Sequence, residues 1–168
     1  MSAQALAELL KTLPDARFHR KLQLVTWHPR GLFDDALADD IARLVESAAF
    51  LEAKPCYSYT DFSGLTEIRL KLGHLFQFAE RRHEANTPAK SAFVAQSVVG
   101  FGIARMYEHL MRTARIDVRA FRERSAAAEW LGVPVEVLEP APGEDTEADQ
   151  VVRTSNGSLA DEGTTKVR

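Results

Sequence analysis

Five consecutive residues, Asp61-Phe62-Ser63-Gly64-Leu65, place a carboxylate, a hydroxyl and a glycine beside an apolar run. The periodicity puts them at the end of one strand and the start of a helix. Ser63 can then accept a hydrogen bond from a first-turn N–H, as an N-cap does. The same geometry favours a phosphate on or near Ser63, because a helix start offers free N–H groups and a positive dipole end. Asp61 opposes that charge unless a cation or a partner group intervenes. Ser63 is therefore the candidate switch site, and Asp61, Phe62, Ser63, Gly64 and Leu65 form the candidate interaction loop.

Other chemistry-bearing residues are more scattered. Gly100-Phe101-Gly102 begins like a phosphate-binding turn, but Arg105 stands where Gly-x-Gly-x-x-Gly needs its third glycine. Close helix–sheet packing is the stronger reading of those glycines. His19, His28, His74, His83 and His109 have no cysteine or histidine at metal-ligand spacing, so no metal site is expected. No Gly-x-Ser-x-Gly elbow surrounds Ser63, since Asp61 holds the first glycine position. Cys56 is the lone cysteine and sits on an apolar-flanked strand, which suits a small buried residue better than a nucleophile. Arg81-Arg82-His83 is a short basic run at a helix end, where cations suit the dipole.

Alternating periodicities supply the elements that must position these groups. Residues 3–11 predict a short helix with Leu6, Leu9 and Leu10 on one side, ended by Pro14. Short strands follow at Arg17–Arg20 and Leu22–Trp27, then a turn at Pro29-Arg30-Gly31. Asp34 or Asp35 caps a helix with the stripe Leu37, Ile41, Leu44, Ala48 and Leu51. A strand over Cys56–Asp61 leads to a helix from Leu65 to Glu84. Ser91–Ala95 reads as a buried strand. Ser97 caps a third helix, with Val99, Ile103, Met106, Tyr107 and Leu110 facing inward. Asp117–Phe121 is a strand, followed by a short helix stopped by Gly132. Val135 and Val137 suggest an edge strand. This alternation predicts an α/β fold whose mixed, mostly parallel β-sheet is covered by helices. Sites in such folds lie beyond the C-terminal strand ends.

These pieces resemble a family. Asp-x-Ser-Gly-Leu in a chain of this pattern looks like the STAS fold of anti-sigma-factor antagonists. More closely, the chain resembles SpoIIAA-like (STAS/SEC14-type) bacterial proteins. Trp27…Arg30-Gly31, Asp61 to Leu65, Gly102 to Glu108, and Phe121-Arg122…Trp130-Leu131 carry the resemblance over residues 16–132. It implies that Ser63, directly before the glycine, is the serine phosphorylated by a partner kinase. The departure is Phe62, where the classical switch has a small serine.

All fourteen aromatic residues lie between Phe18 and Trp130. From Glu139 to Arg168 the chain has seven acids, three bases and no aromatic residue, giving a net charge of −4. That stretch is expected to be an acidic disordered tail, since it has too little apolar surface to offset chain entropy. The expected organisation is an N-terminal helix over 1–14, one domain over 15–138, and the tail over 139–168. The rest of the 168 residues carries only +1. A basic nucleic-acid binder is disfavoured. No apolar run suits a membrane helix or a secretory signal, and a cytoplasmic location is expected.

Two functional readings lead. One is a non-enzymatic STAS-type regulatory module that contacts a protein partner, such as a kinase or regulator, through the loop at Ser63. The alternative is a carrier or sensor of a small apolar or anionic, lipid-like ligand. Phe62, Phe101, Tyr107 and Trp130 would line its cavity beside Gly102, with Arg105 holding a head group. An enzyme is the least favoured reading. No cofactor is implied, and an edge strand near the N-terminal hairpin leaves a homodimer open.

Overall fold

The computed structural model describes residues 3–141. Most of the expected tail, from residue 142 on, lies outside the described residues. The chain runs α1 (Ala3–Thr12), β1 (Ala16–His19), β2 (Leu24–Trp27), β3 (Gly31–Asp34), α2 (Asp35–Glu52), β4 (Tyr57–Asp61), β5 (Leu65–Arg69), α3 (Leu72–His83), β6 (Ala89–Val94), α4 (Val98–Leu110), β7 (Ile116–Phe121) and α5 (Arg124–Leu131). Tight 3₁₀ turns occupy Arg20–Leu22, Phe62–Gly64 and Val135–Leu138.

The main sheet has the order β1-β2-β4-β6-β7. Only β1 runs antiparallel to its neighbour; the other pairs are parallel. The α/β class with a mostly parallel sheet is therefore as the alternation predicts. Polar caps set the helix starts as expected: Asp34 accepts from the Leu37 N–H and Ser97 from the Gly100 N–H. Gly132, at φ 75°, ends α5 in the left-handed conformation that glycine adopts without strain.

Three local expectations are corrected. The helix expected from Leu65 begins only at Leu72. Residues Leu65–Arg69 instead form β5, which pairs in parallel with β3 as a separate two-stranded ribbon. Apolar residues at 65, 68 and 72 fit helical steps, but the distant pairing with β3 decides the local structure. The expected edge strand at Val135 and Val137 is a 3₁₀ turn, begun after Pro134, that buries Leu138. On α4, Val99 and Met106 are exposed, while Gly100, Ala104, Tyr107 and Met111 are buried. Small side chains at 100 and 104 turn this face to the protein, and the larger valines are left outside.

Strand alternation sends successive side chains to opposite faces. One face carries Val25, Trp27, Phe93, Ile116 and Val118 and packs under α1 to α4. The other carries Leu24, Tyr59, Ala92 and Val94 and packs under α5 and the last 3₁₀ turn. Leu44 and Ala48 of α2 are fully buried. Burial of a leucine side chain of this kind stabilises by about 1.5–3 kcal/mol.

Candidate functional site

Central strand β4 presents different chemistry on its two faces. Tyr59 and Asp61 point toward α5, and both are buried. The Asp61 carboxylate accepts from the Tyr59 hydroxyl at 3.1 Å, the Ser63 N–H at 2.9 Å and Nη2 of Arg124 at 3.1 Å. Burial alone would raise the Asp61 pKa. The Ser63 hydroxyl and N–H, Arg124 and Tyr59 outweigh burial and hold it below the ordinary value. Burial and the adjacent carboxylate both raise the Tyr59 phenol. The His28 ring lies tilted against Tyr59, with centroids 5.6 Å apart, and donates from Nε2 to the Leu138 carbonyl at 2.8 Å. Burial lowers its pKa.

Ser63 is the outer member of this cluster and is exposed, as is Gly64. It sits in a 3₁₀ turn between two strands and not at the start of an α-helix. The geometry first expected for a phosphate at Ser63 is absent. Gly64 is required for a different reason: a Cβ there would stand 2.9 Å from the Pro29 carbonyl oxygen and 3.2 Å from Cγ of Arg30.

The opposite face of β4 carries Ser58 and Thr60, both buried. Their alternation with Tyr57, Tyr59 and Asp61 resembles a half-exposed strand, yet both faces are covered. Ser58 pairs in register with Ser91 of β6, and its Oγ donates to Oγ of Ser91 at 2.8 Å. Above these hydroxyls is a cavity of about 70 Å³. Its walls are mainly apolar. Ile41 and Val45 come from α2, Phe33 from the ribbon, Leu75 and Phe78 from α3, and Ala104 from α4. Phe62 closes one end against Phe33 and Phe93, with ring centroids 5.2 and 5.7 Å away. Consecutive residues thus serve opposite sides of the sheet: Asp61 the ionic cluster, Phe62 the cavity.

Arg82 also lines the cavity. Its side chain is 10% exposed and its Nη1 donates to Glu46 at 2.8 Å. It also bonds the Tyr107 hydroxyl, whose pKa burial raises. The basic run at 81–83 is accordingly divided: Arg81 pairs with Asp39, Arg82 turns inward, and His83 meets the Leu110 carbonyl.

Of the ligand-site residues expected from sequence, Phe62 and Tyr107 line this cavity. Phe101, Gly102, Arg105 and Trp130 do not. Phe101 lies under Arg122, whose guanidinium carbon is 3.8 Å from its ring centre. Gly102 is exposed, and Arg105 pairs with Glu108 at 2.6 Å. Trp130 packs on Phe121 beside Lys90 and Arg119. Sequence reasoning missed Ser58, Thr60, Ser91, Arg82 and Arg124. The available signal was a hydroxyl-bearing face on a strand central to a parallel sheet, where Val and Ile are usual.

Among the described residues, no hydrogen bond joins any two of His74, His109, Asp61 and Glu108. His74 contacts Asp39, while Glu108 holds Arg105 and the Ala120 N–H. Cys56 is buried, and desolvation pushes its thiol up to about 12. No group of three or more His, Cys, Asp or Glu is arranged to hold a metal among the described residues. No described helix is long and apolar enough to cross a membrane.

No protein-family model and no curated protein matches the chain. Among solved structures it is similar to an uncharacterized protein from the DUF3478 family with a SpoIIAA-like fold, from Shewanella loihica PV-4. That similarity has 16% sequence identity and a TM-score of 0.44, and covers 64% of this chain and 83% of that one.

Proposed function

We propose that this protein is a non-enzymatic binding module that carries or senses a small, mainly apolar ligand between the main sheet and helices α2, α3 and α4. The observation that supports this reading is the apolar cavity with buried hydroxyls on its floor. Ligand sites combine apolar walls with a few convergent polar groups in this way. The test is a titration with ethanol followed by amide NMR shifts. Shifts centred on Ile41, Phe93 and Ala104, abolished by the cavity-filling change Ala42→Leu, are expected. Shifts absent, or spread over the surface, would overturn it.

A second reading keeps the loop at Asp61–Leu65 as a STAS-type protein contact switched at Ser63. Two observations favour it: Ser63 is exposed, and Arg124 is already bound to the neighbouring carboxylate. A phosphate on Ser63 would remove a donor from Asp61 and add about two negative charges beside it. Arg124 would then bridge both anions or leave Asp61. Phosphate mapped to Ser63 by mass spectrometry in protein from its native cells supports this reading. Unmodified Ser63, with partner binding unaffected by Ser63→Asp and Ser63→Ala, would sink it.

A further inference from the structure

We infer that the ligand of this cavity is a short-chain monocarboxylate, with its carboxylate between Arg82 and the Ser58–Ser91 hydroxyl pair. This rests on the binding reading above and adds the charge, size and orientation of the ligand.

Apart from His74, whose Nε2 is engaged with Asp39, the polar groups around the cavity are biased toward donation. Two serine hydroxyls own two hydrogens, and one is used between them. The other is free to meet an acceptor in the cavity. Thr60 adds a third hydroxyl to the same floor. Arg82 has five N–H donors in a planar fork and accepts nothing. Glu46, whose side chain is 55% exposed, and Tyr107 engage only part of that fork. With its side chain nine-tenths buried, Arg82 favours an anion there, because its field is screened less than at the surface. A planar carboxylate matches the fork in shape as well as charge.

Size limits the rest of the ligand. A dry cavity of about 150 Å³ accepts benzene. On that scale, one of about 70 Å³ accommodates roughly three or four heavy atoms, the carboxylate included. Acetate meets both requirements.

The test compares acetate with acetamide, a nearly isosteric neutral molecule, by amide NMR titration of the full chain. Acetate is expected to bind about tenfold tighter, the ratio that one charge-assisted hydrogen bond supplies. Arg82→Met should abolish that ratio. Because Arg82 also contacts Tyr107, Glu46→Gln provides a second variant that leaves the buried groups in place. It removes the competing carboxylate and should strengthen acetate binding several-fold without changing acetamide. Equal affinity for the two probes would overturn the carboxylate assignment while leaving the binding reading intact. Failure of both probes to shift the cavity amides would overturn both. No response of acetate to Glu46→Gln would remove Arg82 as the anchor.

Discussion

Nη2 of Arg124, at the start of α5, lies 3.1 Å from Oδ2 of Asp61 at the end of β4, joining elements separated by 63 residues. Asp61 is 3% exposed, whereas the Arg124 side chain is 34% exposed. Most of the desolvation therefore falls on the carboxylate, which must keep its donors. Asp61→Asn should cost about 3 kcal/mol, as when one partner of a buried ionic network is removed. The amide cannot reproduce the charge, and with its oxygen on the Ser63 N–H its NH2 meets two donors, the Tyr59 hydroxyl and Arg124. Urea denaturation checks this; a loss below about 1 kcal/mol would show that Arg124 does not stabilise the loop.

Acid should weaken the fold in two stages. His19 and His28 have folded pKa values below 6.5, mainly through burial. Their contribution is complete above pH 6.5 and is lost as pH falls toward the folded values, because the unfolded chain takes protons first. Asp61 has a folded pKa below 3.8, so its contribution is present above 3.8 and lost as pH falls through the folded value. Melting temperature against pH should show both losses. His28→Gln should flatten the upper one and leave the lower one unchanged.

Two glycines should respond oppositely to alanine. Gly64→Ala drives a Cβ to 2.9 Å from the Pro29 carbonyl, which is backbone and yields little. A loss of about 1–3 kcal/mol is expected from overpacking. Gly102 on α4 meets nothing within 4 Å of a built Cβ. Gly102→Ala should stabilise by about 0.5–1 kcal/mol through helix propensity. Thermal denaturation of the two variants side by side checks both signs.

Phe62→Ala should cost about 3–5 kcal/mol, the usual range for a buried phenylalanine. Phe62 is 6% exposed and stands between Phe33 and Phe93. Its removal also enlarges the cavity, so the larger neutral probe butyramide should bind in the surviving fold where only acetamide fits the parent. Denaturation and titration of one sample separate the two effects.

Much of the frame was legible because it depends on neighbours in sequence. The α2 stripe, the Asp34 and Ser97 caps and the Gly132 stop all follow from spacing over one or two turns. The β3–β5 ribbon was not legible, since Leu65–Arg69 carries apolar residues three apart and becomes a strand only by meeting Gly31–Asp34. The orientation of α4 was misread for a related reason. Size, rather than hydrophobicity, decides whether Gly100 and Ala104 or Val98 and Val99 face the core. The cavity was hidden because Ser58 and Thr60 resemble a solvent-facing row in sequence, and only the packed helices show that they are buried.

The ribbon gives the cavity a kinetic property. A two-stranded sheet holds itself weakly, and β3 and β5 have no other strand neighbours. Phe33 from β3 and Leu70, just after β5, are both cavity walls. Separation of the two strands therefore breaks their backbone hydrogen bonds and opens the chamber in one event. The Phe33 and Ile68 amides would exchange with solvent deuterium at the frequency of that separation. A ligand packed against Phe33 would slow the exchange on both strands of the ribbon.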